Sequence, residues 1–217
     1  MSLSPEILAH IVPVRRLTEQ RGYLATGVTP LDEILGGGWP RATLAELRGS
    51  RTSGRTAILY ASLAAAIAAG RAVALVDSGG ALDPRSAEAA GIVLARLLWI
   101  RATVEQALKA TDLVVSAGGF DLVAIDFGDQ RPRAPSAAWI RLKHGALRQR
   151  TTILAATPAS AVGSFAAATI ELSAAVPRFE KPWLLTGLRA QARCVRGKHD
   201  FSDEGPSCAW LAFSHHD

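Results

Sequence analysis

The chain contains few of the residues that carry metal or disulfide chemistry. Two cysteines, Cys194 and Cys208, and five histidines occur among 217 residues. The spacing of the cysteines matches no metal-binding pattern. We therefore expect no metal site, and we expect a compartment in which thiols stay reduced.

Long apolar runs are also absent. No segment approaches the ~18 consecutive apolar residues that a membrane span requires. The first residues, MSLSPEILAHIVPVRR, lack the basic-then-apolar order of a secretory signal. We expect a cytoplasmic protein without membrane contact. A chain with 49% hydrophobic and 20% charged residues has the composition of a folded globular protein and not of a disordered one.

Positive charge exceeds negative charge in this chain. The formal net charge is +5 and the isoelectric point is about 9.8. Such a balance favours association with nucleic acid or with an acidic partner, but it carries no information about the fold. The excess comes mostly from arginines that are spread along the sequence.

Short apolar runs alternate with helical patterns from about residue 27 onward. This alternation predicts an α/β fold with a mostly parallel central sheet flanked by helices. We predict buried central strands at 43–47, 72–77, 97–100, 122–126 and 152–156. We predict helices at 56–69, 104–117 and 137–149, the last with Ser136 as its N-cap. Shorter segments at 169–173, 183–195 and 208–213 predict mostly antiparallel strands that complete the sheet.

The pattern divides the chain into an amino-terminal arm, residues 1–26, and a core domain, residues 27–217. The arm carries a small apolar face, which is followed by a basic pair. That face consists of Ile7, Leu8, Ile11 and Val12. An apolar face outside the core can dock on its own domain or on a partner.

A glycine-rich loop lies between a predicted strand and a predicted helix. The sequence GSRTSGRT, Gly49 to Thr56, fits the phosphate-binding pattern G-x-x-x-x-G-K-[ST] with one substitution. Gly49, Gly54 and Thr56 match the pattern, but Arg55 stands at the lysine position. The lysine of a working loop reaches the terminal phosphates as a compact charge, and the planar guanidinium of arginine does not replace it there.

Three segments, taken in order and spacing, resemble bacterial RecA recombinases. They are GVTPLDEILGGGWPRATLAELRG, ALVDSGGALDPRSAEAAG and FDLVAID, and together they cover residues 27–127. The resemblance implies a RecA-like P-loop core in which Asp126 matches the Walker B aspartate. It also implies that Gly79 stands where the family has the glutamate that activates water. A glycine orients no water, so a catalytic position is lost.

These departures predict a non-enzymatic protein with no catalytic residue and no cofactor. Gly49, Gly54, Arg55, Thr56 and Asp126 would be a vestigial nucleotide site, and the sequence leaves open whether ATP still binds. The segments 128–136 and 159–167 also leave little room for the two DNA-binding loops of RecA.

Within the RecA superfamily the chain is similar to the ImuA-like family of bacterial mutagenesis cassettes. This resemblance implies an accessory role in DNA-damage-induced translesion synthesis with three partners: RecA, an ImuB-like polymerase homologue and an error-prone polymerase complex. An amino-terminal helix of RecA packs on the neighbouring subunit, so the arm is predicted to bind a partner.

Two alternatives stay open, namely an ATP-dependent recombinase paralogue and a single-stranded DNA-binding protein. The candidate DNA-binding residues are Arg141, Arg148, Arg193, Arg196 and Lys198.

Overall fold

A nine-stranded sheet forms the centre of the protein in the computed structural model, which describes residues 22–180, 184–197 and 208–214. The strands are β1 Tyr23–Leu24, β2 Trp39–Pro40, β3 Leu44–Gly49, β4 Val73–Asp77, β5 Leu97–Arg101, β6 Leu122–Asp126, β7 Thr152–Thr157, β8 Ala168–Leu172, β9 Val176–Glu180, β10 Leu184–Arg196 and β11 Cys208–Ser214. The helices are α1 Thr29–Leu35, α2 Arg55–Ala68, α3 Pro84–Ala89, α4 Val104–Ala117 and α5 Ser136–Gln149.

The order of the strands in the large sheet is β11-β10-β8-β3-β7-β6-β4-β5, and β9 pairs with β10. The six strands from β8 to β5 run parallel, whereas β9, β10 and β11 are antiparallel to their neighbours. The predicted α/β architecture, with a mostly parallel sheet and antiparallel strands toward the carboxyl end, is confirmed.

Helices cover both faces of this sheet. Leu47 and Ile58 belong to the core between the sheet and α1, α2 and α3. Leu44 and Trp139 belong to a second core, which lies between the sheet and the pair α4 and α5. The central strands are therefore buried on both faces, which explains why their sequences are continuous apolar runs instead of alternating patterns.

Two predicted strands have different surroundings from those expected. Strand β5 was predicted as a central strand, but it pairs only with β4 among the described strands, and Leu98 is 44% exposed. An apolar run does not reveal how many neighbours a strand has.

The segment 169–173 was predicted to be antiparallel, yet β8 runs parallel to β3 and is antiparallel only to β10. The ten residues 158–167 cross over and bring the chain back in the same direction as β7.

The segment before β3 contains structure that the strand–helix alternation did not predict. Strand β1, within the segment assigned to the arm, pairs with β2. Gly38 makes this possible, because a Cβ atom at that position would lie 2.2 Å from the carbonyl oxygen of Leu24. The Trp39 indole N–H donates to Ser62 Oγ at 3.0 Å inside the core. This hydrogen bond links the segment before β3 to α2, which contains Ser62.

The chain after β7 is held by a buried glutamate of β3. Glu46 Oε1 accepts hydrogen bonds from the N–H groups of Ala161 and Val162, at 2.7 and 3.0 Å, and from Thr157 Oγ1 at 3.2 Å. Its other oxygen, Oε2, has no hydrogen-bond partner among the residues that the structure describes. These bonds fix the connection 158–167 against the middle of the sheet.

Helix α5 begins at Ser136 and has Pro135 as its N-cap, so the predicted cap is displaced by one residue. The face of α5 toward the sheet contains Trp139, Leu142 and Ala146, which recur at helical spacing and are buried.

Candidate functional site

The glycine-rich loop lies at the carboxyl edge of the parallel strands, where open α/β sheets bind ligands. Residues 50–54 connect β3 to α2, and Gly54 takes a left-handed conformation with φ 82° immediately before the helix. This is the strand–loop–helix setting in which the phosphate-binding pattern acts. The first N–H groups of α2 belong to a helix end that favours anions.

The side chain of Arg55 is bound to carbonyl groups of the protein itself. Its Nη1 donates to the Gly49 carbonyl at 2.6 Å, and its Nη2 donates to the Gly128 carbonyl at 2.5 Å. The residue is 4% exposed. Hydrogen bonds from a charged group contribute about 1.5–3 kcal/mol each. The buried Nε has no partner in the described part of the chain, which costs about 1–3 kcal/mol. The two hydrogen bonds together therefore stabilise the buried side chain by more than the free-energy cost of burying Nε.

We call Arg55, Gly49, Gly128 and Gly79 the arginine clamp. It joins the start of the loop to the segment that follows β6, which lies 73 residues further along the chain than Arg55.

Two carboxylates balance the charge of the clamp. Asp129 lies 3.9 Å from Arg55 Nη2 and 3.7 Å from Arg51 Nη1, so it faces both arginines of the loop. Burial lowers the pKa of Arg55, and the carboxylates of Asp126 and Asp129 act in the opposite direction. The positive charge of the loop is therefore already opposed by groups of the same chain.

The interior of the loop is filled by a serine. Ser53 is buried and its Oγ donates to the Ser50 carbonyl at 2.7 Å. A Cβ atom at Gly49 would lie 2.4 Å from Ser53 Oγ and 2.9 Å from Leu172 Cβ. Gly49 is thus required by packing within the loop and against β8, whether or not a phosphate binds.

Asp126, the last residue of β6, also has contacts within the protein. Its Oδ1 accepts the Gly128 N–H at 2.8 Å, and its carbonyl accepts the N–H of Ser78 at 2.9 Å and of Gly79 at 3.2 Å. Burial raises the pKa of Asp126, while the Gly128 N–H and Arg55 lower it. The aspartate therefore shapes the turn after β6.

Gly79 packs directly against Gly128. A Cβ atom at Gly79 would lie 2.8 Å from Gly128 Cα and 2.9 Å from Gly128 N, which is closer than real Cβ contacts. A glutamate does not fit at position 79 unless the segment after β6 moves. Since Arg55 holds the Gly128 carbonyl, the substitutions at positions 55 and 79 meet at one glycine.

The loop that carries Gly79 is held by Asp77 at the end of β4. The Asp77 carboxylate accepts the N–H groups of Ala81 and Leu82 at 3.1 and 3.3 Å, and the Trp99 indole N–H at 3.3 Å. Our sequence reasoning had not identified Asp77, Gly128 or Asp129. The signal available for the last two was their place in the stretch FGD, which directly follows the Walker B strand and its Asp126.

The candidate DNA-binding residues lie on two different elements. Arg141 and Arg148 are exposed on α5, and Arg141 Nε is 2.9 Å from Asp112 of α4. Arg193 and Arg196 are exposed on β10, where Arg193 pairs with Glu171. Their role in DNA binding stays a prediction.

Several predicted residues lie outside the part of the chain that the structure describes. They are Lys198 and the apolar arm residues Ile7, Leu8, Ile11 and Val12. Among the described residues, no group of three or more His, Cys, Asp or Glu side chains could hold a metal ion. None of the described helices is both long enough and apolar enough to span a membrane.

The sheet order, the loop between β3 and α2 and Asp126 at the end of β6 define an α/β domain of the P-loop class. The RecA N-terminal domain family model matches residues 14–135, more than half of the chain. The chain therefore belongs to the RecA family. The matched region contains the loop, Gly79 and Asp126.

Curated relatives and a solved structure agree with this assignment. RecA of Streptomyces venezuelae is 39% identical over 113 residues, which are 51% of this chain and 30% of that protein. RecA of Salinispora arenicola is 36% identical over 155 residues, which are 66% of this chain and 44% of that protein. The chain thus spans less than half the length of these relatives.

The crystal structure of the RadB recombinase superposes with a TM-score of 0.64 at 20% identity. It covers 87% of this chain and 95% of that one. At this identity the likeness concerns the fold.

We predict that Gly79→Ala lowers the free energy of unfolding by about 1–3 kcal/mol, because the added methyl group overpacks against Gly128. The cost should fall in an Arg55→Lys background, because lysine has one compact nitrogen in place of the two separate donor nitrogens that reach the Gly49 and Gly128 carbonyls. The segment after β6 can then shift. Urea unfolding of the two single variants and the double variant measures this coupling. Additive costs would show that Arg55 does not hold Gly128 against Gly79.

Proposed function

We propose that this chain is a non-enzymatic member of the RecA family that acts by binding partners. The observation that carries the proposal is the pair of hydrogen bonds from Arg55 to the carbonyls of Gly49 and Gly128. The side chain at the position that normally reaches the phosphates uses its donors inside the protein.

A nucleotide would have to compete with these internal contacts. To meet a phosphate, the guanidinium would have to leave two carbonyls unpaired, and unpaired buried polar groups cost about 1–3 kcal/mol each. The carboxylates of Asp126 and Asp129 would repel the incoming phosphate charge. Both effects oppose ATP binding, so the loop serves as a structural element instead of a cofactor site.

Hydrolysis requires a second element that is also missing. Phosphoryl transfer depends on positioning the attacking water, and Gly79 has no side chain with which to do so. The close approach of Gly79 to Gly128 leaves no space for a side chain at position 79 itself. Turnover would thus need compensation at both positions, 55 and 79.

The resemblance to the ImuA-like family supports a more specific role. We propose that the protein is an accessory factor in DNA-damage-induced mutagenesis by translesion synthesis. Its partners would be RecA, an ImuB-like polymerase homologue and, through that homologue, an error-prone polymerase complex. A domain that does not bind and hydrolyse nucleotide keeps one conformation, and it can therefore present the same binding surface to its partners at all times.

An ATP-dependent recombinase paralogue is the second candidate. It is favoured by the intact strand–loop–helix setting, by Asp126 at the end of β6 and by the similarity to RecA proteins. The two candidates differ in whether nucleotide binds and turns over, and they can be separated by experiment.

We predict no ATP hydrolysis by the purified protein, with or without single-stranded DNA. Millimolar ATP with magnesium should leave its melting temperature unchanged, because a ligand that does not bind the native state cannot stabilise it. Arg55→Lys should bind ATP at least about tenfold more tightly. Arg51→Lys is the matched control, since Arg51 belongs to the same loop but its side chain is 85% exposed. Steady turnover by the natural protein that disappears in Arg55→Ala would instead support the recombinase paralogue.

The partner proposal predicts that the natural protein retains RecA and the ImuB-like protein of its own organism in a pull-down. The four substitutions Ile7→Ser, Leu8→Ser, Ile11→Ser and Val12→Ser, made together, should abolish retention of RecA because they remove the apolar face of the arm. The melting temperature of this variant checks that the core is intact. Undiminished RecA binding would show that the arm is not the interface, and binding of neither partner by the natural protein would contradict the mutagenesis role.

A further inference from the structure

Helices α4 and α5 lie side by side on one face of the sheet and leave a groove between them. They approach closely at Gly145, where a Cβ atom would lie 3.2 Å from Val115 Cγ1. Ala137 and Gly145 line the groove together with polar side chains of both helices. The absence of a side chain at Gly145 therefore lets the two helices approach each other closely.

Large apolar side chains are exposed on the two helices that form this groove, and one of them, Ile140, lines the groove itself. Leu113 of α4 is 65% exposed, and Ile140 and Leu147 of α5 are 40% and 46% exposed. Isolated exposed apolar residues are ordinary, but these three lie on two adjacent helices. Ile140, His144 and Leu147 follow each other at i, i+4 and i+7, so they form one stripe along α5.

Positively charged side chains accompany these apolar residues. Arg141 and Arg148 line the groove, and Lys143 is exposed on the same helix. Asp112 is the acidic residue that lines it, and its carboxylate already pairs with Arg141 at 2.9 Å. Within the described part of the chain Arg148 and Lys143 have no ion-pair partner. The face therefore combines apolar anchors with uncompensated positive charge.

We propose that this α4–α5 face, which consists of Leu113, Ile140, Leu147, Arg141, His144 and Arg148, binds an acidic amphipathic helix of a partner protein. Apolar side chains of the partner would cover Leu113, Ile140 and Leu147, and flanking carboxylates would meet Arg148 and the free side of Arg141. An amphipathic helix in a groove is a common mode of recognition. The inference rests on the proposed function, since it gives the partner-binding domain a surface and a partner chemistry.

Nucleic acid is a poorer match for this face. Phosphate contacts neutralise arginines but give nothing to exposed leucine and isoleucine side chains. Single-stranded DNA is also held by stacking on aromatic residues. Trp139 is the only Phe, Tyr or Trp side chain of α4 and α5, and it is buried at 2% exposure. The composition of the face favours a peptide helix.

The length of the helices limits the size of the partner segment. Both α4 and α5 have 14 residues, which corresponds to about 21 Å of helix. A partner helix of about 14–18 residues spans that length at the same rise per residue.

The test uses the full chain and designed peptides. Three fluorescent helical peptides of about 18 residues share one leucine face and carry glutamate, glutamine or lysine at the flanking positions. A single-stranded oligonucleotide of similar length is the fourth probe. Fluorescence anisotropy should show that the glutamate peptide binds at least about tenfold more tightly than the other two peptides.

Variants of the face locate the site. Ile140→Ser combined with Leu147→Ser, and separately Arg148→Glu, should each weaken binding of the glutamate peptide by about tenfold or more. Matched controls outside the face are Val93→Ser, at a side chain that is 50% exposed, and Arg85→Glu on α3. The controls should bind as the natural protein does.

Each other outcome overturns the proposal. Equal binding of the three peptides, or binding that survives the α4–α5 variants, means that the face does not select an acidic helix. Oligonucleotide binding that is lost in Arg148→Glu but kept in the serine variant means that the face is a DNA surface. Measuring ATP turnover in the same samples separates this proposal from the proposed function. Turnover together with intact peptide binding rejects only the non-enzymatic function. No turnover and no peptide binding reject only the α4–α5 face as a docking site.

Discussion

The arrangement of the site depends on one buried guanidinium. Arg55 donates to a carbonyl of its own loop and to the Gly128 carbonyl after β6, and so it couples two segments that are distant in sequence. Gly128 is then held against Gly79, and its N–H reaches the carboxylate of Asp126. The losses at positions 55 and 79 are therefore parts of one rearrangement, because a glutamate at 79 and a clamped Gly128 cannot occupy the same space.

The fold does not depend on nucleotide chemistry at the loop. The two cores on either side of the sheet are built by buried side chains of the strands and helices. The capacity of a fold and the activity of its site are separate properties. A RecA-like domain can thus keep its architecture while its surfaces, such as the α4–α5 face, take over the interaction with partners.

Much of the architecture follows from local patterns in the sequence. The predicted bounds of α4 and β6 agree with the structure, because each ends at a clear signal, Gly118 after the helix and a turn after Asp126. The edge position of β5 and the direction of β8 depend on neighbours distant in sequence. The hydrogen-bond partners of the Arg55 side chain were equally unpredictable, because the second acceptor is a carbonyl 73 residues away in the sequence. A motif comparison detects the missing lysine but does not show where the arginine is bound.

The most direct measurement of the central claim is nuclear magnetic resonance of the Arg55 guanidinium, assigned by its loss in Arg55→Lys. If the guanidinium is hydrogen-bonded and buried as described, its Nη–H signals are resolved, exchange slowly with water and do not shift when ATP with magnesium is added. Signals in fast exchange with solvent, or signals that move in proportion to the added ATP, would show that Arg55 is free to meet a phosphate and would contradict the account.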